Sequence, residues 1–592
     1  MSDYLPPCKD IAFALRELVD FDALCEAAGL DEVNEELASA ILDEAGRFGS
    51  EVWAPLNVVG DHEGARLDEQ GVQESPGFAE AYSAFVDSGW QTLTFPEAYG
   101  GQGLPNVLGT AVNEIWQSAN MAFGLCPMLT WGAGEAINHH GSEELKSIWL
   151  PKLVSGEWTG TMNLTEPDAG SDLAAIKTRA VPEGDHYLIS GQKIFITWGD
   201  HQMTSNIVHL VLARLPDAPP GVKGISLFVV PKFLLDENGE PGQRNDVKCV
   251  SLEHKLGIHG SPTCTLSFGD NGGAVGYLVG EPHQGLPYMF TMMNHARQSV
   301  GLQGLAISQR AYQLAVAYAR ERIQGTRADG SKIPIIEFPD VRRMLMQMRA
   351  SIEAMRGLAL LAAAETDRVK AAGDDEQAAR HHRRVELYTP IVKGWMTELA
   401  QEVTYLGIQI HGGMGFSEEC EAAQHYRDAR ILTIYEGTTG IQALDLIGRK
   451  TLRNKGVGIN ELLDEIDLCC ASLAADADLT GMAQPLTQAL TAAREAVAWV
   501  LETGAQSKTA PGAVCVPFMM LMGYLCGGWV SCRMAQRASA RLAAGDGDQA
   551  YLQAKITTAR FYCEHLLPRV SGLRDSVLEG SESVMQLPES EF

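Results

Sequence analysis

A single glutamate, Glu436, lies in an otherwise apolar and small-residue segment, ILTIYEGTTG at residues 431–440. These residues by themselves allow two interpretations. In the first, which the segment alone favours, the glutamate caps a helix start or pairs with a cation there. In the second, the carboxylate lies in an apolar pocket, where loss of solvent raises its pKa and makes it a useful general base.

Two further segments contain residue types that bind ligands. TEPDAGSD, residues 165–172, offers N–H groups and two hydroxyls that can hydrogen-bond a planar heterocycle or a phosphate. A plain β-turn is the alternative, and the segment alone favours it. In GQKIFITWGD, residues 191–200, Phe195 and Thr197 are separated by one residue and would face the same side of a strand. A strand of the core is the alternative there.

Glycines and arginines give weaker indications. GGMGF at residues 412–416 resembles a phosphate-binding loop, but the strand–GxGxxG–helix context of a dinucleotide site is absent from the sequence. Arg297, Arg310, Arg320 and Arg322 fall in a helical segment, where most arginines are solvated or salt-bridged.

Composition excludes some classes of partner. The chain has 592 residues, too many for one core, so we expect several domains. Its net charge of −29 would repel nucleic acid and anionic membranes, so we expect neither as a partner. The twelve cysteines lack metal-ligand spacing and predict reduced thiols in a cytoplasmic protein without a metal site. The N-terminus has no basic region followed by an apolar run, so we predict no secretion signal.

One uncharged segment is long enough to need separate consideration. Residues 510–532 are roughly long enough to span a bilayer, but they include two prolines and four glycines. We expect a buried helix of a helical domain there, with peripheral membrane contact as the alternative.

Periodicity predicts an α+β fold in four parts. Residues 1–158 are predicted to be a helical domain and 159–280, where the period changes to two, a middle antiparallel β domain or barrel. Residues 281–450 predict a four-helix bundle, and 451–592 a further helical domain. One bundle helix would bury a face formed by Val341, Met344, Leu345, Met348 and Ile352, and AAGDDEQAARHHRR would form a solvated interhelical turn.

Five motifs, in order along the chain, resemble those of the acyl-CoA dehydrogenase family: TEPDAGSD, GQKIFIT, KLGIHGSPT, RDARI and IYEGTTGIQ. The resemblance covers roughly residues 40–450. It implies a fold of N-terminal helices, a β domain and a helical bundle, with FAD between the β domain and the bundle. The additional C-terminal residues and the segment IPIIEFPDVRRMLM resemble a larger subgroup of the family and imply a homodimer.

The resemblance also implies a role for individual residues. Glu436 matches the catalytic base. FAD contacts are implied for Met162, Leu164, Thr165, Gly170, Ser171, Phe195, Thr197 and Thr438, and contacts to the FAD of a neighbouring subunit for Arg322, Gln324, Gln409, Gly412 and Gly413. Substrate contacts are implied for Ser171, Asn294, Arg297, Tyr435 and Gly437. The chain departs from the family at Phe195, usually tryptophan, at Gly440, often glutamine, and at Asn294, commonly acidic.

The implied reaction is α,β-dehydrogenation of an acyl-CoA thioester to the 2-enoyl-CoA, with electrons passing to an electron-transfer flavoprotein. The subgroup points to 3-(methylthio)propanoyl-CoA, a thioester of dimethylsulfoniopropionate breakdown. Short- and medium-chain fatty acyl-CoAs are competing substrates, because a thioether and a methylene are close in shape and polarity. Two competing functions are an acyl-CoA oxidase and a non-catalytic flavin-binding assembly protein.

Overall fold

The first part of the chain is mostly helical. The structure is a computed structural model that describes residues 4–507 and 509–592. The elements are α1 (Cys8–Ala14), α2 (Phe21–Ala27), α3 (Glu35–Phe48), α4 (Pro55–Glu63), β1 (Arg66–Asp68), β2 (Gly71–Gln73), α5 (Phe78–Asp87), α6 (Asn106–Ala119), α7 (Met121–His140) and α8 (Glu143–Ser155).

The bounds of α8 follow from local sequence chemistry. The Ser142 side chain accepts a hydrogen bond from the N–H of Leu145 at 3.2 Å, and Glu143 and Glu144 lie in the first turn. Hydroxyl capping and negative charge both stabilise a helix N-terminus. Gly156 follows the helix at φ +82°, the left-handed conformation that ends helices.

A mainly antiparallel sheet follows. Its strands are β3 (Thr159–Asn163), β4 (Arg179–Glu183), β5 (His186–Thr197), β6 (Ile207–Arg214), β7 (Ile225–Pro231), β8 (Phe233–Leu235), β9 (Pro241–Arg244), β10 (Val247–Leu252), β11 (Thr263–Phe268) and β12 (Ala274–Leu278). The eight-stranded sheet has the order β10-β11-β5-β12-β7-β6-β3, with β4 beside β5 and β6; β8 and β9 form a separate hairpin.

Two pairings differ from the predicted antiparallel arrangement. β3 pairs with β6 in parallel, Thr159 opposite Ile207, and β4 meets β6 in parallel at Arg179 opposite Arg214. β6 and β7 are antiparallel and almost wholly buried, because both faces of these apolar strands are covered. A continuous apolar strand hides its pairing direction, since the residue pattern is the same for either neighbour.

Long helices form the next part of the chain. They are α9 (Gly285–Glu321), α10 (Pro339–Ala371), α11 (Asp375–His411), α12 (Glu421–Ala429) and α13 (Thr439–Leu444), with a short hairpin, β13 (Ile323–Thr326) and β14 (Lys332–Pro334). The predicted face of α10 is confirmed, since Met344, Leu345, Met348 and Ile352 are buried and Val341 packs against the cluster that contains the first three.

The predicted solvated turn between α10 and α11 is much shorter than expected. The Asp374 side chain accepts a hydrogen bond from the N–H of Gln377 at 2.8 Å and starts α11 there. The polar residues QAARHHRR therefore form the first helical turns. Most of these residues are at least partly exposed, although Arg384 is buried. A polar composition does not distinguish such a helix start from a turn.

The α9 and α11 helices pack at very short range. A Cβ at Gly301 would lie 2.6 Å from the carbonyl oxygen of Val392, and one at Gly304 would lie 2.9 Å from that of Met396. Only glycine permits this approach at the two positions. The contact fixes the α11 segment around residues 392–397, which is buried throughout.

The final helices follow, and the longer ones share one apolar core with α10 and α11. They are α14 (Val457–Ala475), α15 (Thr480–Gln506), α16 (Ala510–Ala513), α17 (Cys515–Ala544), α18 (Gln549–His565), α19 (Arg569–Glu579) and α20 (Ser581–Gln586). Among the described residues, α17 is the one helix long and apolar enough to cross a membrane, yet 83% of its most apolar window is buried inside the protein. It is the buried helix that the sequence predicts.

The order helices, sheet, helices confirms the predicted α+β class. By contact density the chain divides into two compact units. The sheet unit comprises residues 48–104 and 119–296. The bundle unit comprises the described residues up to Arg47, residues 105–118 and everything described from Arg297 onwards.

A buried ion pair ties α6 to α10 within the bundle unit. The Arg356 guanidinium donates to the Glu114 carboxylate at 2.7–3.1 Å and to the Gln309 side chain at 2.9 Å. Both charged side chains are at most 2% exposed. Removing one partner from such a pair leaves the other charge buried and uncompensated.

We predict that Arg356→Met costs about 3–5 kcal/mol of unfolding free energy and lowers Tm, measured by calorimetry. The double variant Glu114→Leu/Arg356→Met recovers most of the loss, because it leaves no unpaired charge. Arg47→Met, which removes an exposed cation beside Glu44, serves as the control and leaves Tm unchanged. Equal Tm values for the single and double variants would contradict the prediction.

Candidate active site

Glu436 lies in a strained turn just before α13. Its φ is +55° and that of the next residue, Gly437, is +91°. The left-handed region is unfavourable for a glutamate, so the surrounding structure must hold it there. The Gln442 side-chain amide donates to the carbonyl oxygen of Glu436 at 3.2 Å, and Thr438 caps α13 by accepting from the Ile441 N–H at 3.3 Å.

The carboxyl group of Glu436 is half-buried and experiences opposing electrostatic effects. Burial raises its pKa, while the cations of Arg297 and Lys393 act in the opposite direction. The sequence-based expectation of a desolvated carboxylate with a raised pKa therefore agrees with the structure. The surroundings are not purely apolar, because the tertiary fold brings two cations to this carboxylate.

Arg297 and Asn294 lie one turn apart on α9. Arg297 is buried and Asn294 is exposed. Burial lowers the pKa of Arg297, and this effect is opposed by Asp445 and Glu436. The arginine therefore interacts with the predicted base, while Asn294 lies at the surface of the helix.

Tyr435, directly before the glutamate, is anchored by its hydroxyl. The Tyr435 O–H donates to the Gln303 side-chain oxygen, and the Gln303 amide donates to the Gln117 side chain at 3.1 Å. Both glutamines are buried. This chain of hydrogen bonds links the turn to α9 and α6.

Lys393 is a neighbour of Glu436 that sequence reasoning missed. It lies on α11 with a side chain of 0% exposure. Its signal in the sequence is a lone cation in the run LYTPIVKGWMT, residues 387–397, which is otherwise uncharged. Lysine is almost never fully buried without a partner, so this position was identifiable as unusual.

A second group of predicted residues lies together in the sheet unit. Met162 is on β3, and Leu164 and Thr165 follow it. The Thr165 carbonyl accepts from the Ile194 N–H at 2.9 Å, which places this segment beside Phe195 on β5. The buried Lys193 ammonium fixes the segment further, since it donates to the Leu164 carbonyl at 3.0 Å and to the Glu166 carboxylate at 2.8 Å.

Phe195 has the properties of a ligand-binding aromatic residue. It lies where the register between β5 and β11 shifts, has φ +59°, and is 57% exposed although it is large and apolar. Ile196 is buried and Thr197 half-buried, so Phe195 and Thr197 are both more exposed than the residue between them. An exposed aromatic ring beside the Thr165 and Thr197 hydroxyls suits a planar heterocycle, and the open, exposed Gly170 and Ser171 leave room for one.

A third group lies in the bundle unit, where α9 and α11 end together. The rings of Tyr318 and His411 are 4.4 Å apart, and the Arg322 N–H donates to the Tyr318 carbonyl at 2.8 Å. The predicted residues here are all exposed: Arg322, Gln324, Gln409, Gly412 and Gly413. Within the bundle unit, the structure thus assembles one group around Glu436 and another at these helix ends.

Four family models match consecutive parts of the chain. "Acyl-CoA dehydrogenase, N-terminal domain" matches residues 35–157. "Acyl-CoA dehydrogenase, middle domain" matches 161–271, and "Acyl-CoA dehydrogenase, C-terminal domain" matches 283–452. "Acetyl-CoA dehydrogenase C-terminal like" matches 462–588.

Full-length relatives agree with these matches. The chain is 49% identical over 587 residues to 3-methylmercaptopropionyl-CoA dehydrogenase of Ruegeria pomeroyi, covering 98% of this chain and 99% of the relative. It is 36% identical over 623 residues to a broad-specificity linear acyl-CoA dehydrogenase of Mycobacterium tuberculosis, covering 100% of both. The solved structure of Caenorhabditis elegans ACDH-11 in complex with C11-CoA has the same fold, with a TM-score of 0.78 at 20% identity over 98% of this chain and 97% of that chain.

Proposed function

The chain belongs to the acyl-CoA dehydrogenase family of FAD-dependent enzymes, and from this premise we propose that it oxidises 3-(methylthio)propanoyl-CoA with Glu436 as the base. The thioether substrate is supported by 49% identity, over nearly the whole length of both chains, to a dehydrogenase named for it. The role of Glu436 is supported by its half-buried carboxylate, raised in pKa and held in a strained turn beside two cations.

The proposed reaction begins with the acidity of the substrate. The α-hydrogen of a thioester is a weak acid, so its removal requires a base of raised pKa and stabilisation of charge on the thioester oxygen. Glu436 would accept the α-proton. Its backbone N–H would donate to the thioester oxygen, an interaction worth about 3 kcal/mol in comparable sites. When bound, FAD supplies the acceptor for the hydride that leaves the β-carbon.

The residues beside Glu436 have supporting roles in this proposal. Tyr435 and Gly437 border the acyl group, and the hydrogen bond from Tyr435 to Gln303 holds the turn in place. Arg297 interacts electrostatically with the carboxylate, and Asn294, one turn away on α9, would contact the acyl-CoA. The carbonyl contact from Gln442 keeps the backbone of Glu436 in its left-handed conformation.

FAD would be held by the residues around Phe195. The exposed ring of Phe195 offers an apolar surface, and the hydroxyls of Thr165 and Thr197 offer hydrogen bonds. The remaining members of this proposed set in the sheet unit are Met162, Leu164, Gly170 and Ser171. The family resemblance also assigns an FAD contact to Thr438 of the bundle unit. Ser171 would also contact the acyl-CoA.

We further propose that the enzyme is a cytoplasmic homodimer that passes its electrons to an electron-transfer flavoprotein. The group at the ends of α9 and α11 supports a dimer, because the exposed side chains of Arg322, Gln324 and Gln409 are accessible to the FAD of a second subunit. The exposed Gly412 and Gly413 lie in the same group.

A straight-chain acyl-CoA is the second candidate substrate. It is favoured by 36% identity over 100% of both chains to a broad-specificity linear acyl-CoA dehydrogenase. Pentanoyl-CoA has the same chain length as 3-(methylthio)propanoyl-CoA and differs only by a methylene in place of sulfur.

We expect 3-(methylthio)propanoyl-CoA to give the highest kcat/KM in a panel that includes butanoyl-, pentanoyl- and hexanoyl-CoA. A missing methylene in an apolar pocket costs about 1–3 kcal/mol, so the preference over butanoyl-CoA should be tenfold or more, whereas the preference over pentanoyl-CoA should be smaller, because a thioether and a methylene are close in shape and polarity. Flavin bleaching on mixing and steady-state rates measure it. Faster oxidation of pentanoyl-CoA would assign the linear substrate instead.

We expect Glu436→Gln to retain bound FAD and to bind acyl-CoA, but to lose substrate-dependent flavin bleaching, because an amide cannot accept the α-proton. Stopped-flow absorbance of the purified holoenzyme measures this. Glu386→Gln, which alters a surface glutamate paired with Lys450, is the matched control and should bleach normally. Normal bleaching by Glu436→Gln would eliminate Glu436 as the base.

We expect substrate-reduced enzyme to react slowly with dissolved oxygen and rapidly with an electron-transfer flavoprotein. Flavin reabsorbance after mixing with aerated buffer, or with the purified flavoprotein, gives the two rates. Reoxidation by air within a single turnover time would identify an oxidase. Flavin binding without bleaching by any acyl-CoA would identify an assembly protein.

A further inference from the structure

Lys393 is a buried cation whose position has no structural explanation. Its side chain is 0% exposed, and its ammonium has no hydrogen-bond partner among the residues that the structure describes. Burying a charge without hydrogen bonds costs several kcal/mol. A methionine of similar length would fill the same space without that cost.

Two other buried cations of the bundle unit are paired with carboxylates. Lys555, 2% exposed, lies 2.7 Å from the Asp10 carboxylate and 3.4 Å from that of Glu353. Arg356 is paired with Glu114. These two charges have structural partners, so the lack of one for Lys393 within the described part of the chain points to a different role.

The charged groups that face Lys393 are Glu436, Glu398 and Arg297. The Glu398 carboxylate already accepts a hydrogen bond from the Thr439 hydroxyl at 2.5 Å. Arg297 interacts with Asp445 as well as with Glu436. Of the two carboxylates that face Lys393, Glu436 has the larger electrostatic effect on the ammonium, and Glu398 is additionally held by the Thr439 hydroxyl.

The backbone around Lys393 is fixed against the Glu436 turn. A Cβ on Gly394 would lie 3.4 Å from that of Gln442, whose amide holds the Glu436 carbonyl. On the other side, the glycines of α9 press against Val392 and Met396. Lys393 therefore lies on a segment packed on both sides, and its side chain is fully buried there.

We propose that Lys393 is a positioning residue for proton transfer, whose buried cation keeps the Glu436 carboxylate ionised when the acyl thioester displaces water from it. This inference rests on the proposed role of Glu436 as the base. Its physical basis is a conflict between two requirements. Desolvation makes the carboxylate more basic, but too large an effect would protonate it at neutral pH and leave no base.

At neutral pH, Lys393 carries the positive charge that can limit the rise in the pKa of Glu436. Burial lowers the pKa of Lys393 to about 8, and Glu436 and Glu398 oppose the change. The ammonium is thus still mostly protonated at pH 7. A cation near a carboxylate lowers the carboxylate pKa, so the loss of Lys393 should raise that of Glu436.

Lys393→Met tests the inference in the FAD-loaded enzyme. We expect the acidic limb of the kcat/KM profile to move up by about one pH unit, which is a tenfold loss below the limb. Infrared difference spectra provide a readout independent of turnover. The protonated-carboxyl band that is missing in Glu436→Gln should appear at a higher pH in Lys393→Met than in the unsubstituted protein.

Measurements of Tm and the Lys393→Arg variant distinguish a positioning role of Lys393 from a packing role. Lys393→Met should leave Tm unchanged or raise it, since it removes a buried charge that lacks a hydrogen-bonded partner. Lys393→Arg should restore the acidic limb, since it retains a cation. Lys555→Met is the matched control; it should lower Tm, because Asp10 and Glu353 lose their partner, and leave the pH profile unchanged.

Different results would overturn the positioning role of Lys393 and the role of Glu436 as the base. If Lys393→Met folds with an unshifted acidic limb and carboxyl band while Glu436→Gln is inactive, Lys393 has no positioning role and the base assignment stands. If Glu436→Gln bleaches normally, the base assignment itself is wrong. If neither Lys393→Met nor Lys393→Gln folds, Lys393 is a structural residue, and the inference is overturned.

Discussion

The carboxylate of Glu436 is balanced between burial, which raises its pKa, and two cations, which act against that rise. Either influence alone would give a poor base. A fully solvated glutamate is too weak to remove the α-proton of a thioester, and a fully desolvated one would be protonated at neutral pH. The surrounding structure is best understood as the framework that maintains this balance.

That framework is built from the crossing of α9 and α11. Gly301 and Gly304 let the two helices approach until side-chain positions of one meet the backbone of the other. Because α9 carries Arg297 and α11 carries Lys393, the same close approach fixes both cations relative to the turn. Gln442 then holds the carbonyl of Glu436, and Gln303 holds the hydroxyl of Tyr435.

The helices after residue 451 pack against the helices of this crossing. α17 packs against α10, α11 and α13, and a Cβ at Gly394 would lie 2.2 Å from the sulfur of Met519. The final part of the chain therefore presses on α11 one residue from Lys393. Residues 515–532 of α17 are uncharged and mostly apolar, as a helix at the centre of this core requires, and no bilayer is needed to explain them.

Much of this protein follows from its sequence. Apolar periodicity distinguishes the sheet from the helices, and local motifs place Glu436 in a glycine-flanked turn and Phe195 beside Thr197, because these features depend on neighbouring residues. Other features depend on partners far along the chain. The parallel pairing of β3 with β6 depends on residues 159–163 meeting residues 207–211, which no local pattern records, and the helical start at Asp374 looks like a polar turn. The approach of Lys393 to Glu436 brings together residues 43 positions apart, and only the packing of α11 against the turn decides it. A sequence records which residues carry charge, but the distance between charges, and hence their effect on a pKa, exists only once the chain has folded.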